Sequence, residues 1–239
     1  MQFVALHDVA VNPSTDNQPR PLVTCWLYWI AVPTGDQAGV MRILGLTPSS
    51  PMTFAEAEVL VDQDGHGEAE GNPDGLARVY VSPEVDGWTL VIGPWCDPGD
   101  LERGSEVLRL CGDLSSRYGQ AQAYYFGAQD DGSAWLIAEH GSVVRRYCET
   151  GEAEDSLLTL GQPLALERDR RARLGLPQTW DENARGSEPE DEWKSGAFDM
   201  APEIAAALGT SSLALTAHTP VHGTGMLALT PYALAQEGA

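Results

Sequence analysis

Lysine is almost missing from this chain: Lys194 is the only one in 239 residues. In all, 14 basic side chains stand against 35 acidic ones, a formal net charge of −21. Such a surface repels nucleic-acid backbone and anionic membrane and attracts basic partners. Long apolar runs are missing too. The longest, Leu22 to Val32, contains Thr24 and is about half the length of a bilayer-spanning helix. It reads as a buried strand. Met1-Gln2-Phe3-Val4 puts no basic residues ahead of an apolar stretch, so no signal peptide is expected and the expected location is cytoplasmic. Cysteine is scarce. Cys25, Cys96, Cys111 and Cys148 lie far apart with no C-x-x-C pair, which speaks against a zinc ribbon or thioredoxin-like site and for reduced core residues. There is no G-x-S-x-G, no G-x-x-x-x-G-K-[ST] and no G-x-G-x-x-G, so nucleophilic catalysis and phosphate binding have no anchor. No cofactor and no metal are expected.

What is present is enough for a core. The chain is 43% apolar with 7 Trp, 7 Tyr and 4 Phe, so disorder throughout is excluded despite the charge. Strands are expected over 2–10 and 22–32, the latter rich in aromatic and β-branched residues. Thr53-Phe54-Ala55-Glu56 is a capping box, opening a helix to about Val61. The acidic, glycine-rich stretch 62–75 reads as a mobile loop. Val107, Cys111, Leu114 and Tyr118 form one apolar stripe of a second helix, with Asp100 as N-cap and Gly119 as C-cap. Strands Ala121–Ala128, Ser133–Ala138 and Ser142–Cys148 then form a meander turned at Asp130-Asp131-Gly132 and Glu139-His140-Gly141. Strand, helix and meander in that order predict an α+β fold, a mostly antiparallel sheet with helices packed on one face. The expected division is a main domain over 1–176, an acidic linker or surface excursion over 177–198, and a C-terminal helix and β-hairpin over 199–239 packed on the main domain. Strands are expected at Ser212–Thr216 and Met226–Leu229.

The candidate chemistry is sparse. His218 and His222 have the i, i+4 spacing of a zinc pair, but Pro220 lies between them and rules out a helix. Asp62, Asp64, Glu68 and Glu70 lack the spacing of a calcium loop. Arg146 shares a strand face with Cys148, and the glutamates that follow offset any activation of that thiol. Alternation puts Trp26 and Tyr28 on one side of their strand and Trp29 on the other. Outward aromatics in an acidic rim would form a hot spot for a basic partner, with Trp26, Trp29, Trp95, Tyr125, Asp62 and Asp64 as interface candidates.

The stretches Asp86-Gly87-Trp88 and Asp131-Gly132-Ser133-Ala134-Trp135-Leu136-Ile137-Ala138-Glu139-His140-Gly141 resemble uncharacterised actinobacterial proteins. The resemblance covers residues 80–175, less than half the chain. It implies an immunity-type or accessory role and carries over no catalytic residue.

The sequence therefore reads as a non-enzymatic acidic protein that binds a basic protein or peptide, with no nucleic-acid or membrane partner. The alternative is a small accessory enzyme acting on a peptide or specialised metabolite. It requires Glu139, His140, Cys148, His218 and His222 to converge in one pocket.

Overall fold

The computed structural model describes residues 18–67, 72, 75–128, 131–178 and 186–237. The expected strand at 2–10, Glu68, Glu70 and Trp180 lie outside the described residues. In chain order the elements are β1 (Trp26–Val32), α1 (Gln37–Leu44), β2 (Thr47–Pro51), α2 (Phe54–Gly65), β3 (Arg78–Val81), β4 (Glu84–Val85), β5 (Thr89–Ile92), α3 (Gly104–Tyr118), β6 (Gln120–Gly127), β7 (Gly132–Glu139), β8 (Ser142–Glu149), β9 (Leu160–Gly161), α4 (Ala165–Arg173), α5 (Glu188–Ala197), α6 (Met200–Leu208), β10 (Val221–His222), β11 (Met226–Leu229) and α7 (Pro231–Glu237). Nine strands make one antiparallel sheet in the order β2-β11-β3-β5-β1-β6-β7-β8-β9; β4 and β10 form a separate short ladder. This is the α+β architecture expected.

The sheet carries helices on both faces, one layer more than expected. The cause lies in β1 at its centre. Leu27, Trp29 and Ala31 point into one core with Phe54 of α2, Trp193 of α5 and Ile204 of α6. Ile30 and Val32 point into the other with Val40 of α1 and Val107, Cys111 and Leu114 of α3. A strand apolar on both sides needs cover on both sides.

Local signals explain most of the elements. In the capping box, the Glu56 N–H donates to Thr53 Oγ1 (3.2 Å) and the Thr53 N–H donates to Glu56 Oε2 (2.8 Å). The helix does not end near Val61, however; it runs to Gly65, because Asp64 is held inside by Arg78. Asp100 caps the turn before α3 through the Glu102 and Arg103 N–H groups (2.8 and 3.0 Å), and the helix itself starts at Gly104. The β7–β8 turn is built on two left-handed residues, His140 (φ 48°) and Gly141 (φ 89°). That is the two-residue turn whose twist suits a hairpin. Ser212–Ala214 is a 3-10 turn capped by Ser211 rather than a strand. The acidic stretch 177–198 contains α5, anchored by Trp193, which is 1% exposed. Edge strand β2 is exposed throughout and carries Pro48 and Pro51, which cannot donate to an added strand.

Candidate functional site

The expected interface residues divide sharply. Trp29 is buried and stacks on Tyr124 with ring centres 4.9 Å apart. Trp95 is buried in the 3-10 turn Pro94–Cys96, beneath the Arg103 guanidinium (5.2 Å). Asp64 is buried in a two-pronged pair with Arg78 (2.9–3.3 Å). These three are interior structure: alternation turns Trp29 into one core, Trp95 packs into the other, and Arg78 holds Asp64 inside. Asp62 stays half-buried near the end of α2, 3.7 Å from His66 Nδ1.

Trp26 and Tyr125 come together. β1 pairs with β6 so that Tyr28 lies opposite Tyr125, and the two rings stack at 4.9 Å. Trp26 is two residues along on the same face as Tyr28. Its Nε1–H donates to Asp131 Oδ2 at 2.6 Å, and its ring meets His66 edge-on at 4.9 Å. The Tyr125 hydroxyl donates to the Asp131 carbonyl (3.1 Å). The Tyr28 hydroxyl is only half-enclosed and has no hydrogen-bond partner among the described residues. Burial first, then the charges of Asp97, Tyr125, Asp131 and Asp100, hold Tyr28 well above the usual phenol range. The charges of three aspartates thus reach Tyr28, and those of Asp131 and Asp97 reach its stacking partner Tyr125. Neither Asp97, Asp100 nor Asp131 is in an ion pair among the described residues. Arg103, whose charge reaches Asp97, is committed to Glu106 (3.1 Å) and the Trp95 carbonyl (2.7 Å).

Asp97 is the most perturbed of the three. Burial pushes its carboxyl up to about 7, with Asp100 adding to the rise; the Gly99 N–H (2.7 Å) and Arg103 oppose it. Cys148 lies at the floor of this corner. Burial and then Asp155 raise its thiol far above the reactive range, and its Sγ–H donates to Asp155 Oδ1 at 3.3 Å. Arg146 does share its face, but activation is absent because desolvation wins. Among the described residues no three His, Cys, Asp or Glu side chains are placed to hold a metal ion. Carboxylates beside aromatic faces suit an ammonium or guanidinium group.

The pocket residues of the enzyme alternative do not converge. Glu139 and His140 are exposed at the β7–β8 turn, whereas Cys148 is buried at the opposite end of β8. His222 is exposed on the β10–β4 ladder, opposite Glu84, and His218 sits in the preceding turn, its N–H donating to Thr216 Oγ1 (3.2 Å). The spacing of His140 serves backbone geometry, and that of the other two a turn and a short ladder.

A cavity of about 180 Å³ opens on the other face of β8, lined by Arg145, Tyr147, Gln162, Glu167, Arg171 and Trp193 among others. Its arginines are already matched. Arg145 Nε donates to Glu167 Oε2 (2.9 Å), its Nη2 to Glu167 Oε1, and Arg171 Nη2 to Glu190 Oε2 (3.5 Å). Trp193 Nε1–H donates to Tyr147 Oη (2.9 Å), and that hydroxyl donates to Glu149 Oε2 (2.9 Å). Buried charges paired in this way fix packing and leave little field for a ligand. Compared with family models, curated proteins and solved structures, the chain has no match.

Sequence reasoning found Trp26 and Tyr125 at the corner. It missed Tyr28, Asp97, Asp100 and Asp131 as their companions. The Trp26/Tyr28 alternation was the available signal; the aspartates arrive from two separate connections, Asp97 and Asp100 from the one before α3 and Asp131 from the β6–β7 turn.

Proposed function

We propose that this protein is a non-enzymatic acidic binding protein, immunity-type or accessory in role. Its aromatic corner takes an arginine or lysine side chain of a basic protein or peptide. The observation that carries this reading is the trio Asp97, Asp100 and Asp131, free of ion pairs among the described residues, whose charges reach the stacked pair of Tyr28 and Tyr125. A guanidinium placed there would meet aromatic faces and carboxylates together. The net charge of −21 would speed its approach.

The test is binding of an oligoarginine peptide, followed by fluorescence anisotropy over a sodium chloride series. Asp131→Asn keeps the shape and the acceptor for Trp26 while removing one charge. It is expected to weaken binding about tenfold, or ~1.4 kcal/mol. Asp113→Asn, on exposed α3 and paired with Arg109 at 2.9 Å, is expected to change it little. Equal losses from both variants would mean diffuse attraction and no site.

A second expectation concerns pH. Because the folded-state pKa of Asp97 is raised to about 7 from an ordinary value of about 4, folding takes up a proton in that window. The contribution of Asp97 to stability therefore falls as pH rises from about 4 to about 7. A cationic guest favours the ionised form, so peptide affinity should increase about tenfold between roughly pH 6 and roughly pH 8. The groups whose charges act on Asp97 are Asp100 and Arg103, and burial raises the neighbouring Tyr28, Tyr125 and Cys148 so that they remain neutral across this range. Asp97→Asn should flatten the profile; an unchanged profile in that variant would assign the proton elsewhere.

A further inference from the structure

We infer that Arg146, with the first turn of α3, forms an anion site that takes a carboxylate carried on an alkyl chain. Three arginines among the described residues are buried: Arg145, Arg146 and Arg171. Two of them have glutamate partners, Glu167 and Glu190. Arg146 has none among the described residues, in a chain with 35 acidic side chains. Its Nε–H donates to the Leu158 carbonyl at 2.5 Å, and its two terminal amino groups have no hydrogen-bond partner among the described residues. The residue is 6% exposed, and burial lowers its pKa, the mark of a cation whose counter-charge is missing.

The guanidinium points at the start of α3. A Cβ on Gly104, the first residue of that helix, would lie 3.1 Å from Arg146 Nη1, so the glycine leaves the space the guanidinium uses. The helix opens without a side-chain cap of its own. Uncapped N–H groups and a guanidinium side by side favour a negatively charged guest.

The surroundings name what the anion is attached to. Leu160 is directly opposite Arg146 across β8 and β9. Leu101 belongs to the turn leading into α3, and Leu157 neighbours the Leu158 carbonyl that Arg146 holds. Leu160, Leu101 and Leu157 are 41%, 59% and 74% exposed, three of the six exposed large hydrophobic residues described. Exposed leucines on the three segments that flank an unmatched cation fit a carboxylate with an aliphatic tail. The site adjoins the aspartate corner, whose Asp100 caps the turn before Gly104, and differs from it in charge sign.

Sodium octanoate is the probe, titrated into the full chain and followed by amide NMR and by thermal unfolding. Saturable shifts at Gly104, Ser105 and Leu160, with a rise in Tm, are expected. Octyltrimethylammonium, with the same tail and opposite charge, should bind at least about tenfold more weakly at these amides, and so should inorganic phosphate, which lacks the tail. Added sodium chloride should leave octanoate affinity level or raise it by screening the −21 background, whereas it weakens oligoarginine binding at the corner. Arg146→Met should keep the fold and lose octanoate binding at least about tenfold; Arg146→Gln, which retains a donor for Leu158, serves if the first variant unfolds. No saturable shift in the wild-type chain, equal binding of the cationic amphiphile or of phosphate, or undiminished binding in a folded Arg146 variant would each overturn the inference.

Discussion

Replacing Glu167 with alanine is expected to cost about 3–5 kcal/mol, a large part of the stability of an ordinary domain. Glu167 has no exposed surface. One carboxylate accepts from Arg145 Nε and Nη2, from Trp135 Nε1 (3.3 Å) and from the Leu164 N–H (2.8 Å). It thereby ties α4 to β7 and β8. Alanine would leave Arg145, itself 3% exposed, as a buried charge facing the Leu160 and Gly161 carbonyls and the Tyr147 ring (5.2 Å) but no carboxylate. The cost lies mainly in that uncompensated charge. Removing both charges together, as Arg145→Met with Glu167→Leu, should therefore destabilise far less than Glu167→Ala alone. Urea unfolding midpoints of the two variants check this. A double variant as unstable as the single one would move the cost from electrostatics to packing.

The second large effect is at Trp29. Trp29→Ala should lose about 3–5 kcal/mol and lower Tm by about 10 °C. The ring is fully buried on the central strand, stacked on Tyr124 and paired in register with Ile92. Trp29→Phe should cost much less than its lost volume implies. The Trp29 Nε1–H is buried with no partner among the described residues, so exchanging it for carbon removes a desolvated donor while emptying part of the site. Calorimetry on both variants measures the split. If phenylalanine costs nearly as much as alanine, the indole N–H is satisfied in solution.

Much of the fold was readable where the physics is local. The Thr53/Glu56 box, the Val107–Cys111–Leu114 stripe and the hairpin turn at His140-Gly141 depend on residues within a few positions of each other. β2 was not readable, because its two prolines are poor strand residues; it forms because β11 lends it hydrogen bonds from one side only. α5 was hidden by its acidic composition. Its stabilisation comes from one face, where Trp193 reaches Tyr147 from 46 residues away. The second helix layer was implied by the unbroken apolar run of β1, yet which helices supply it depends on chain crossings.

The sequence by itself determined the charge, the α+β class, the antiparallel meander and the side of β1 on which Trp26 and Tyr28 lie, since these follow from composition and from the two-residue period of a strand. Only the tertiary structure decided that the charges of Asp97, Asp100 and Asp131 reach Tyr28, that Trp29 and Trp95 are interior, and that Arg146 alone of the described buried arginines lacks a carboxylate. Those outcomes depend on strand register and on which distant loops pack together, and no short window of residues encodes either.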